Sequence, residues 1–408
     1  MQKQEDLIVG LDIGTTKICA VVGEKTDTGV DIVGIGTHPS IGLRKGVVVN
    51  IQSTVDSIKK AVEEAELMAD CEIRSVFTGI AGGHIKGVNS HGIIGVKGKE
   101  ITEQDVARVI EAARAIAIPM DREVVHILPQ SYVVDGQEDI QSPVGMTGVR
   151  LEANVHIVTA AVTSAQNIIK CCNKSGLDVE DIVLQTLAGS EAVLTPEEKD
   201  LGAIFIDIGG GTTDLAVFLN RSIKHTAVLS LGGNNLTNDL AIGLRTTVAA
   251  AEIIKQKYAT CNLASITEDE TVEIPGITGS EQYKFSKRQI AEILHARMEE
   301  LFTLIKQEIH LGQMENRINA GVVLTGGTSL LEDVTDVANA VFGVHARRGY
   351  PQGIGGLLDV VNNPMYASAV GLVLYGARNR PQQKFRIKDN NVFHRVMERM
   401  TRWVKEVI

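Results

Sequence analysis

Two short segments rich in glycine and threonine carry the residue types that bind phosphate. One reads Asp12-Ile13-Gly14-Thr15-Thr16-Lys17; the other, about half a chain later, reads Asp207-Ile208-Gly209-Gly210-Gly211-Thr212-Thr213-Asp214. Unpaired backbone amides in a tight turn bind anions, and glycine lets the backbone approach a phosphate without a Cβ atom in the way. Threonine adds hydroxyl donors. We call residues 14–17 the first turn and residues 209–213 the second turn, and we predict that both contact the phosphates of one nucleotide.

An aspartate precedes each turn, Asp12 in the first segment and Asp207 in the second. A protein-bound Mg²⁺ keeps most of its water ligands and takes few protein ligands. Two carboxylates that converge from the two halves of the chain would hold such a hydrated ion beside a triphosphate. We therefore predict Asp12 and Asp207 as metal-binding residues that act through water.

A third glycine turn, made of Gly326, Gly327 and Thr328, follows a predicted strand at 321–324 and leads into a predicted helix through Val341. The N-terminus of such a helix would be open to a nucleoside. A single Gly-Thr turn is a weak signal, because such turns join many hairpins, whereas two similar turns followed by a third are much more specific. The chain contains neither G-x-x-x-x-G-K-[ST] nor a complete G-x-G-x-x-G after a strand, which argues against P-loop and dinucleotide-binding proteins.

The two turns require strands on both sides, and apolar runs supply them. The runs are Leu7–Gly14 and 18–22 around the first turn, and 203–207 and 215–219 around the second. Two similar strand–turn–strand units at half-chain spacing indicate a duplicated α/β domain. Apolar periodicity predicts helices at 53–69 with Ser53 as N-cap, at 102–118 with a cap at Thr102, at 287–311 and at 364–376. Residues 84–163 are interpreted as an inserted subdomain, and residues 260–285 as an irregular polar excursion.

Composition excludes several classes of protein. The net charge of −10 and the pI near 5.6 disfavour a nucleic-acid partner. The five cysteines form no C-x-x-C pair, so we expect neither a zinc site nor a disulfide framework, and a reducing cytoplasm fits best. No signal-peptide core and no apolar run of about 18 residues is present, so any membrane contact is expected to be peripheral.

The segment 392–408 shows the pattern of an amphipathic helix that lies in the lipid headgroup layer. It contains the only tryptophan of the chain and follows a polar stretch, 379–391, that is interpreted as a linker. The apolar face carries Phe393, Val396, Met397, Met400, Trp403, Val404 and Val407, and the basic face carries Arg395, Arg399, Arg402 and Lys405. The alternative is a helix docked on the core. The linker and the basic face of an otherwise acidic protein favour the membrane.

The three turns, in this order, match the phosphate-1, phosphate-2 and adenosine motifs of the actin, heat-shock chaperone and sugar kinase superfamily. Longer strings make the chain resemble the FtsA family of bacterial cell-division proteins over nearly its whole length: 65–71 (AELMADC), 143–150 (PVGMTGVR), 324–327 (LTGG) and 367–371 (ASAVG). The resemblance implies an α/β, actin-like (ribonuclease H-like, duplicated) two-domain fold with an inserted 1C subdomain and a C-terminal amphipathic helix. The implied divisions are 1–83 with 164–194 and 359–378 (subdomain 1A), 84–163 (1C), 195–233 with 301–358 (2A) and 234–300 (2B).

The resemblance also implies roles for individual residues. ATP and Mg²⁺ are the expected ligands, held by Asp12, Gly14, Thr15, Thr16, Lys17, Asp207, Gly209, Gly210, Gly211, Thr212, Thr213, Gly232, Gly233, Gly326, Gly327 and Thr328. Glu252 and Lys255 would bracket the adenosine, with a solvated ion pair as the alternative. Gln185 would position a water for slow hydrolysis, although a glutamine with no catalytic role explains the sequence equally well.

The implied partners are those of a cell-division adaptor at the cytoplasmic side of the inner membrane. They are the C-terminal peptide of FtsZ, further copies of the chain in a filament, an anionic lipid surface, and later division proteins through subdomain 1C. Lys287, Arg288 and Arg297 are the basic candidates for the FtsZ peptide, with a plain solvated helix face as the alternative. The rival interpretations are another actin-like scaffold, similar to PilM or MreB, and a small-molecule kinase on the same fold.

Overall fold

The structure, a computed structural model, describes residues 7–27, 29–266, 270–277, 282–312, 314 and 317–379. The predicted tail helix at 392–408, and the predicted linker at 379–391 apart from Asn379, lie outside the described residues. The strands are β1 (Leu7–Ile13), β2 (Lys17–Thr26), β3 (Gly29–Pro39), β4 (Leu43–Arg44), β5 (Val47–Val48), β6 (Ser75–Ile80), β7 (Lys86–Gly95), β8 (Arg122–Val134), β9 (Gln137–Ile140), β10 (Arg150–Ala161), β11 (Asp178–Leu184), β12 (Ala203–Ile208), β13 (Thr213–Leu219), β14 (Ser222–Leu229), β15 (Thr271–Pro275), β16 (Gln282–Ser286), β17 (Gly321–Thr325), β18 (Ala346–Arg348) and β19 (Gly355–Gly356).

The α-helices are α1 (Ile51–Ala69), α2 (Glu103–Arg114), α3 (Val162–Lys174), α4 (Gln185–Val193), α5 (Pro196–Leu201), α6 (Gly233–Gly243), α7 (Val248–Tyr258), α8 (Lys287–Leu311), α9 (Val334–Phe342), α10 (Leu358–Val361) and α11 (Ala367–Asn379).

Two large sheets share one topology. The first has the order β11-β6-β1-β2-β3-β19, and the second has the order β18-β17-β12-β13-β14. In the first sheet β1 pairs antiparallel with β2, and β2 pairs antiparallel with β3. In the second sheet β12 pairs antiparallel with β13, and β13 with β14, in the same way. On its other side β1 pairs parallel with β6, which pairs parallel with β11. Likewise β12 pairs parallel with β17, which pairs parallel with β18. This equivalence confirms the predicted duplication.

Helices cover the sheets and join the two halves. α1 packs on β2 and β3, while α11 packs on β1, β2 and β6 and contacts α4, which itself touches β12 and β13 of the second sheet. Glycines permit the close approach of α1 to β3, since a Cβ atom at Gly34 would lie 2.7 Å from the Cβ atom of Ala69. The apolar core of the first half therefore continues onto one face of the second sheet, where Phe205 is fully buried.

The inserted subdomain is a four-stranded antiparallel sheet with the order β7-β10-β8-β9 and one helix, α2, on one face. A capping box at Thr102 and Asp105 begins the helix, as predicted, but the helix ends at Arg114 rather than near Ile118. The opposite face of the sheet lies against β14 of the second half. His156 of β10 and Thr226 of β14 meet there at 2.8 Å.

Three other predictions about local structure were wrong. The N-cap of α1 is Asn50, whose side chain accepts a hydrogen bond from the backbone N–H of Ser53, so Ser53 already lies within the helix. Residues 260–285 are not wholly irregular, because β15 and β16 form a hairpin. The third glycine turn does not open a continuous helix: residues 327–330 form a 3₁₀ turn and α9 begins only at Val334.

Candidate nucleotide site

The first and second turns are built alike. In the first, Gly14 N donates to Lys17 O at 3.0 Å, between the paired residues Ile13 and Ile18. In the second, Gly209 N donates to Thr212 O at 3.0 Å, between the paired residues Ile208 and Thr213. Each turn thus joins two buried antiparallel strands through four residues. This common geometry explains why the two sequence segments look alike.

The two turns face each other in direct contact, although they belong to different halves. A Cβ atom at Gly210 would lie 2.2 Å from Cγ2 of Thr16, and a Cβ atom at Gly211 would lie 2.7 Å from Cγ2 of Thr15. Only glycine allows the second turn to come this close to the threonines of the first. The fold therefore brings together the two segments that the sequence predicted to share one ligand.

Gly232 and Gly233 brace the second turn from behind. Gly233 N donates to Gly209 O at 2.9 Å, and Asn234 N donates to Gly210 O at 2.7 Å. A Cβ atom at Gly232 would lie 2.7 Å from Gly209 O, so this position also depends on glycine. The Gly233 amide is thus already hydrogen-bonded to the second turn. The glycine pair therefore positions that turn.

The third turn closes on the same place. The hydroxyl of Thr328 donates to Gly209 O at 3.0 Å. Gly326 has a φ of +83° and lies against Asp207, and a Cβ atom there would collide with a carboxylate oxygen. The three glycine turns therefore form one continuous wall, which we call the glycine wall; the third turn contributes a short 3₁₀ turn in place of the predicted helix N-terminus.

Glu252 and Lys255 lie on α7 and do not form a freely solvated surface pair. Lys255 Nζ donates to Glu252 Oε2 at 2.8 Å, to Thr237 Oγ1 at 2.8 Å and to Gly233 O at 3.1 Å. Its side chain is only 11% exposed. The pair thus ties α7 and α6 to the glycine wall, and its predicted role beside the adenosine stays a prediction.

Three carboxyl groups stand behind the turns: those of Asp12 and Asp214 are buried, and that of Asp207 is partly buried. Burial raises the pKa of Asp12 to about 7, an effect that the charge of Lys17 opposes and that of Asp207 reinforces. Burial also raises the pKa of Asp207 and, with the charges of Asp207 and Asp12, brings the pKa of Asp214 to about 7. Burying a carboxylate without a cation is unfavourable. The arrangement therefore favours either protons or a cation.

The hydrogen bonds of these carboxyl groups leave at least one carboxylate oxygen without a partner. Ser368 Oγ donates to Asp207 Oδ2 at 2.8 Å, and Thr212 Oγ1 donates to Asp214 Oδ2 at 3.0 Å. Oδ1 of Asp214 is buried and has no hydrogen-bond partner among the described residues. The described part of the chain holds no group of three or more His, Cys, Asp or Glu that could enclose a metal ion. A Mg²⁺ ion held mainly through water, with few protein ligands, fits this donor set.

Gln185 and Lys17 contact the site from its edges. Gln185 is the first residue of α4, and its Nε2 donates to Asp12 Oδ1 at 2.5 Å. Lys17 Nζ donates to Met365 O at 2.7 Å and lies 4.1 Å from the centre of the Tyr366 ring. Gln185 is therefore beside the predicted metal ligand, whereas the ammonium group of Lys17 is held by the segment before α11.

Sequence reasoning missed Asp214 and Ser368. Asp214 is the last residue of the second segment. A carboxylate directly after a Gly-Thr turn is a signal that could have placed it among the predicted metal-binding residues. Ser368 gave no local signal, because it reaches Asp207 only through the packing of α11 between the two sheets.

The three predicted partner-binding residues lie on α8 but do not form one surface. Nine residues separate Arg288 from Arg297, which is two and a half helical turns, so they lie on opposite sides of the helix. Arg297 forms ion pairs with Asp239, at 2.5 and 3.0 Å, and with Glu300. Lys287 forms an ion pair with Glu270. Their role in binding an acidic peptide remains a prediction.

An open cavity lies between the start of α9 and β18, and its lining includes none of Asp12, Asp207 and Asp214. It is lined by Glu332, Asp333, Thr335, Ala346, Arg347 and Arg348. Arg347 donates to Glu198 through Nε and Nη2, each at 2.7 Å, and Arg348 donates to two backbone carbonyls. Both arginines of this cavity thus already have acceptors within the protein.

None of the helices in the described residues is both long enough and apolar enough to cross a bilayer.

Comparisons with known families agree with this architecture. A family model described as cell division protein FtsA matches residues 204–371, and one described as the SHS2 domain inserted in FTSA matches residues 82–159. The second match coincides with the inserted sheet and α2.

Full-length relatives are similarly consistent. The chain is 47% identical over 407 residues to the cell division protein FtsA of Pseudomonas aeruginosa, covering 98% of this chain and 97% of that one. It is 37% identical over 410 residues to cell division protein FtsA of Escherichia coli, covering 98% and 96%. The corresponding protein of Bacillus subtilis is 37% identical over 376 residues, covering 92% and 84%.

Solved structures with low identity share the fold. A PilM-PilN type IV pilus biogenesis complex superposes with a TM-score of 0.66 at 18% identity, covering 91% of this chain and 98% of that one. MreB5 of Spiroplasma citri bound to ADP superposes with a TM-score of 0.56 at 13% identity, covering 90% and 95%.

Proposed function

The chain belongs to the FtsA family of cell division proteins, and on this premise we propose that it is an ATP-binding, actin-like adaptor of the division site. In this proposal ATP and Mg²⁺ bind between the two halves, and the loaded protein assembles on the cytoplasmic face of the inner membrane. There it tethers the FtsZ ring and helps to recruit later division proteins.

The contact between the two glycine turns carries the nucleotide part of the proposal. Gly210 touches Thr16 and Gly211 touches Thr15, so one ligand can reach amides and hydroxyls from both halves. The carboxyl groups of Asp12 and Asp207 stand behind this contact, where they fit a hydrated Mg²⁺. A nucleotide that bridges both turns stabilises the closed arrangement by binding it better than an open one.

Closure would then favour assembly into filaments, because it fixes the relative position of the two halves. Gly210→Asp tests the coupling, since it adds both bulk and a negative charge where phosphate is expected. We expect this variant to fail both in ATP binding and in ATP-dependent assembly on lipid, measured by sedimentation. Assembly like that of the wild type would refute the coupling.

Membrane attachment is assigned to the segment 392–408. It carries four basic residues against two acidic ones, and each basic side chain near an anionic leaflet contributes about 1 kcal/mol. The net charge therefore helps modestly, and burial of the apolar face has to supply most of the affinity. One such helix is a weak anchor, so stable attachment needs many copies held together in a filament.

Co-sedimentation with liposomes tests this assignment directly. The full chain and a variant ending at residue 391 are each mixed with anionic vesicles, with and without ATP. We expect only the full chain to sediment with lipid, and to do so more strongly with ATP. Equal binding by the two proteins would place the membrane contact elsewhere.

The FtsZ peptide is assigned to subdomain 2B, residues 234–300, which contains the start of α8. Lys287 and Arg288 begin this helix, and Arg297 lies nine residues further along it; Lys287 is paired with Glu270, and Arg297 with Asp239 and Glu300. We expect Lys287→Glu with Arg288→Glu to weaken binding of a synthetic acidic FtsZ-type peptide more than Arg297→Ala does, by fluorescence anisotropy. A larger loss of peptide affinity in Arg297→Ala than in the double variant would place the peptide site further along α8.

The inserted subdomain, 84–163, is the proposed contact for later division proteins.

Any hydrolysis is proposed to be slow and regulatory, with Gln185 orienting the water. Gln185 Nε2 is hydrogen-bonded to Asp12, which places its amide beside the proposed metal ligand. A phosphate-release assay with a panel of sugars separates this adaptor from a small-molecule kinase. We expect no sugar to raise the rate of ATP consumption.

A further inference from the structure

Strand β8 of the inserted subdomain contacts both halves of the protein within five residues. His126 Nε2 accepts a hydrogen bond at 2.9 Å from the backbone N–H of Leu184, the last residue of β11 in the first sheet. Gln130 Nε2 donates to Ile223 O of β14, in the second sheet, at 2.8 Å. The inserted subdomain therefore bridges the two halves, in addition to the bridge formed by α11 and α4.

Two β-bulges meet at this bridge. In β8, Pro129 and Ser131 pair with consecutive residues of β10, so Gln130 is the extra residue of a bulge. In β14, the pairing with β13 is interrupted in the same way at Lys224. The extra residue of a bulge is left out of the strand ladder, and its side chain is aimed differently from those of its neighbours. The backbone groups of both residues are thus available for contacts between the subdomains.

Gln130 and Lys224 use this freedom reciprocally. Gln130 Nε2 donates to Lys224 O at 3.3 Å, and Lys224 Nζ donates to Gln130 O at 3.3 Å. Asn89 Nδ2 of β7 donates to Lys224 O at 3.2 Å, and Thr226 Oγ1 lies 2.8 Å from His156 Nε2. In the part of the chain that the structure describes, β14 pairs with β13 alone. Side chains of the inserted subdomain therefore cover the free edge of β14 without adding a strand to it.

The polar character of this contact allows it to separate. Gln130, His156 and Thr226 are no more than 7% exposed, so they depend on these hydrogen bonds while the subdomain is docked. When the contact opens, water replaces each hydrogen bond, and the net free energy lost per bond is small. Contacts between the domains of one chain commonly allow relative motion unless they are large and hydrophobic. The hydrogen bonds at β14 can therefore hold the subdomain reversibly.

Strand β14 connects this contact with the proposed nucleotide site. Leu229, near its end, pairs with Thr213, the last residue of the second turn. Two residues later, Leu231 O accepts a hydrogen bond from the hydroxyl of Thr213 at 2.9 Å. The chain then reaches Gly233, whose N–H donates to Gly209 O. A shift of β14 therefore displaces the residues that position the second turn.

We propose that the contact between β8 and β14 is a latch that holds the two halves closed on the nucleotide, with Gln130 and Lys224 as its reciprocal donors. The proposal rests on the proposed binding of ATP between the halves. With the latch formed, two separate contacts hold the second half, one through α11 and α4 and one through β14. When the inserted subdomain lifts off β14, only the first contact remains, and bound nucleotide leaves faster.

The rate of nucleotide release from the full chain tests the latch. A fluorescent ATP analogue is bound in the presence of Mg²⁺, then displaced with excess unlabelled ATP and followed by stopped flow. Gln130→Met removes the amide donors and keeps the length of the side chain. The matched control is Gln104→Met, the same change at an exposed position of α2, which packs on the opposite face of the inserted sheet.

We expect Gln130→Met to raise the release rate about 5-fold or more, the effect of one lost hydrogen bond, and Gln104→Met to match the wild type. Lys224→Met removes the other donor and should raise the rate as well. Because both donors serve one contact, the effect of the double variant Gln130→Met/Lys224→Met should be smaller than the product of the two single effects. An unchanged rate in Gln130→Met, or independent effects of the two changes, would overturn the latch.

Pulsed electron paramagnetic resonance supplies a readout that needs no nucleotide. Spin labels are attached at Gly95→Cys, in the inserted subdomain, and at Glu299→Cys, an exposed position of α8. The background carries Cys71→Ser, because the other four cysteines are buried. We expect one narrow distance distribution between the labels, and a second, longer distance when Gln130→Met is added. Identical distributions with and without Gln130→Met would show that these hydrogen bonds do not hold the subdomain and would overturn the latch.

The latch and the proposed function fail in different ways. A wild-type chain that does not bind the ATP analogue would overturn the proposed function, while the label distances would still test the contact between β8 and β14. A Gln130→Met variant whose inserted subdomain separates, but whose release rate equals that of the wild type, would overturn the link between the latch and the nucleotide.

Discussion

Gly210→Ala tests the contact between the two turns, because it adds a single methyl group at their closest point. The backbone of Gly210 is not in the left-handed region, so alanine brings no conformational penalty of its own. Its methyl carbon would lie 2.2 Å from Cγ2, 2.9 Å from Oγ1 and 3.1 Å from the Cβ atom of Thr16. Carbon atoms pack at about 3.5–4.0 Å, so the turns would have to separate by about 1.3 Å or more.

The size of the effect follows from this overlap. Overpacking of a tight contact costs about 1–3 kcal/mol. If the closed arrangement is the one that binds nucleotide, the same free energy raises the Kd for MgATP by about 5- to 150-fold. Thr16→Ser removes the atom with the worst overlap and keeps the hydroxyl, so the double variant Gly210→Ala/Thr16→Ser should recover part of the loss.

Isothermal titration of MgATP into the four proteins of this cycle measures the coupling. Gly95→Ala is the control, since a Cβ atom there meets nothing within 4 Å, and it should bind like the wild type. Wild-type affinity in Gly210→Ala would contradict the contact between the turns. A double variant no better than Gly210→Ala would show that the loss does not come from Thr16.

Three further predictions concern single residues. Burial lowers the pKa of His156 to about 3, whereas an unfolded histidine takes up a proton near 6.5, so stability falls as the pH drops below about 6.5. His156 alone should lower the free energy of unfolding by about 2 kcal/mol between pH 7 and pH 5. Urea titrations of His156→Asn at the two pH values should therefore show a smaller fall in the free energy of unfolding than the wild type does. An equal fall in both proteins would exclude His156 as its source. Gln185→Ala should slow phosphate release with little change in the Kd for ATP, and unaltered turnover would remove Gln185 from the account. Lys255→Ala should weaken ATP and ADP binding equally, because its contacts are with the wall behind the second turn; a loss confined to ATP would place its ammonium group at the terminal phosphate.

The duplication and the two turns could be predicted from sequence because their signals are local. Buried strands appear as apolar runs, and glycine with threonine marks the turn between them. The same is true of α8, which the apolar periodicity placed at 287–311, where the structure also has it. These features need no knowledge of which segments later meet in space.

The third turn shows how a distant residue overrides a local preference. Residues 327–341 are compatible with one continuous helix, yet Arg348 Nε donates to Ser329 O and Arg348 Nη2 donates to Leu331 O. Those carbonyls are then engaged by β18, and Asp333 turns into the left-handed region with a φ of +58°. The helix consequently begins only afterwards. Arg348 lies too far along the chain for any periodicity to reveal this.

The remaining parts of the site depend on packing in the same way. Ser368 reaches Asp207 through α11, and the β4–β5 hairpin reaches Thr15 through one backbone amide. Neither contact has a sequence signature. The β15–β16 hairpin is different, because Val272 and Ile274 alternate with exposed residues and gave a strand signal that is too short to stand alone.

The most direct measurement is a crystal structure of the full chain with Mg²⁺ and a non-hydrolysable ATP analogue. The account predicts a single nucleotide whose phosphates contact both the first turn, at 14–17, and the second turn, at 209–213, with the metal ion beside Asp12 and Asp207. A nucleotide bound at another place, or one whose phosphates reach only one of the two turns, would contradict it.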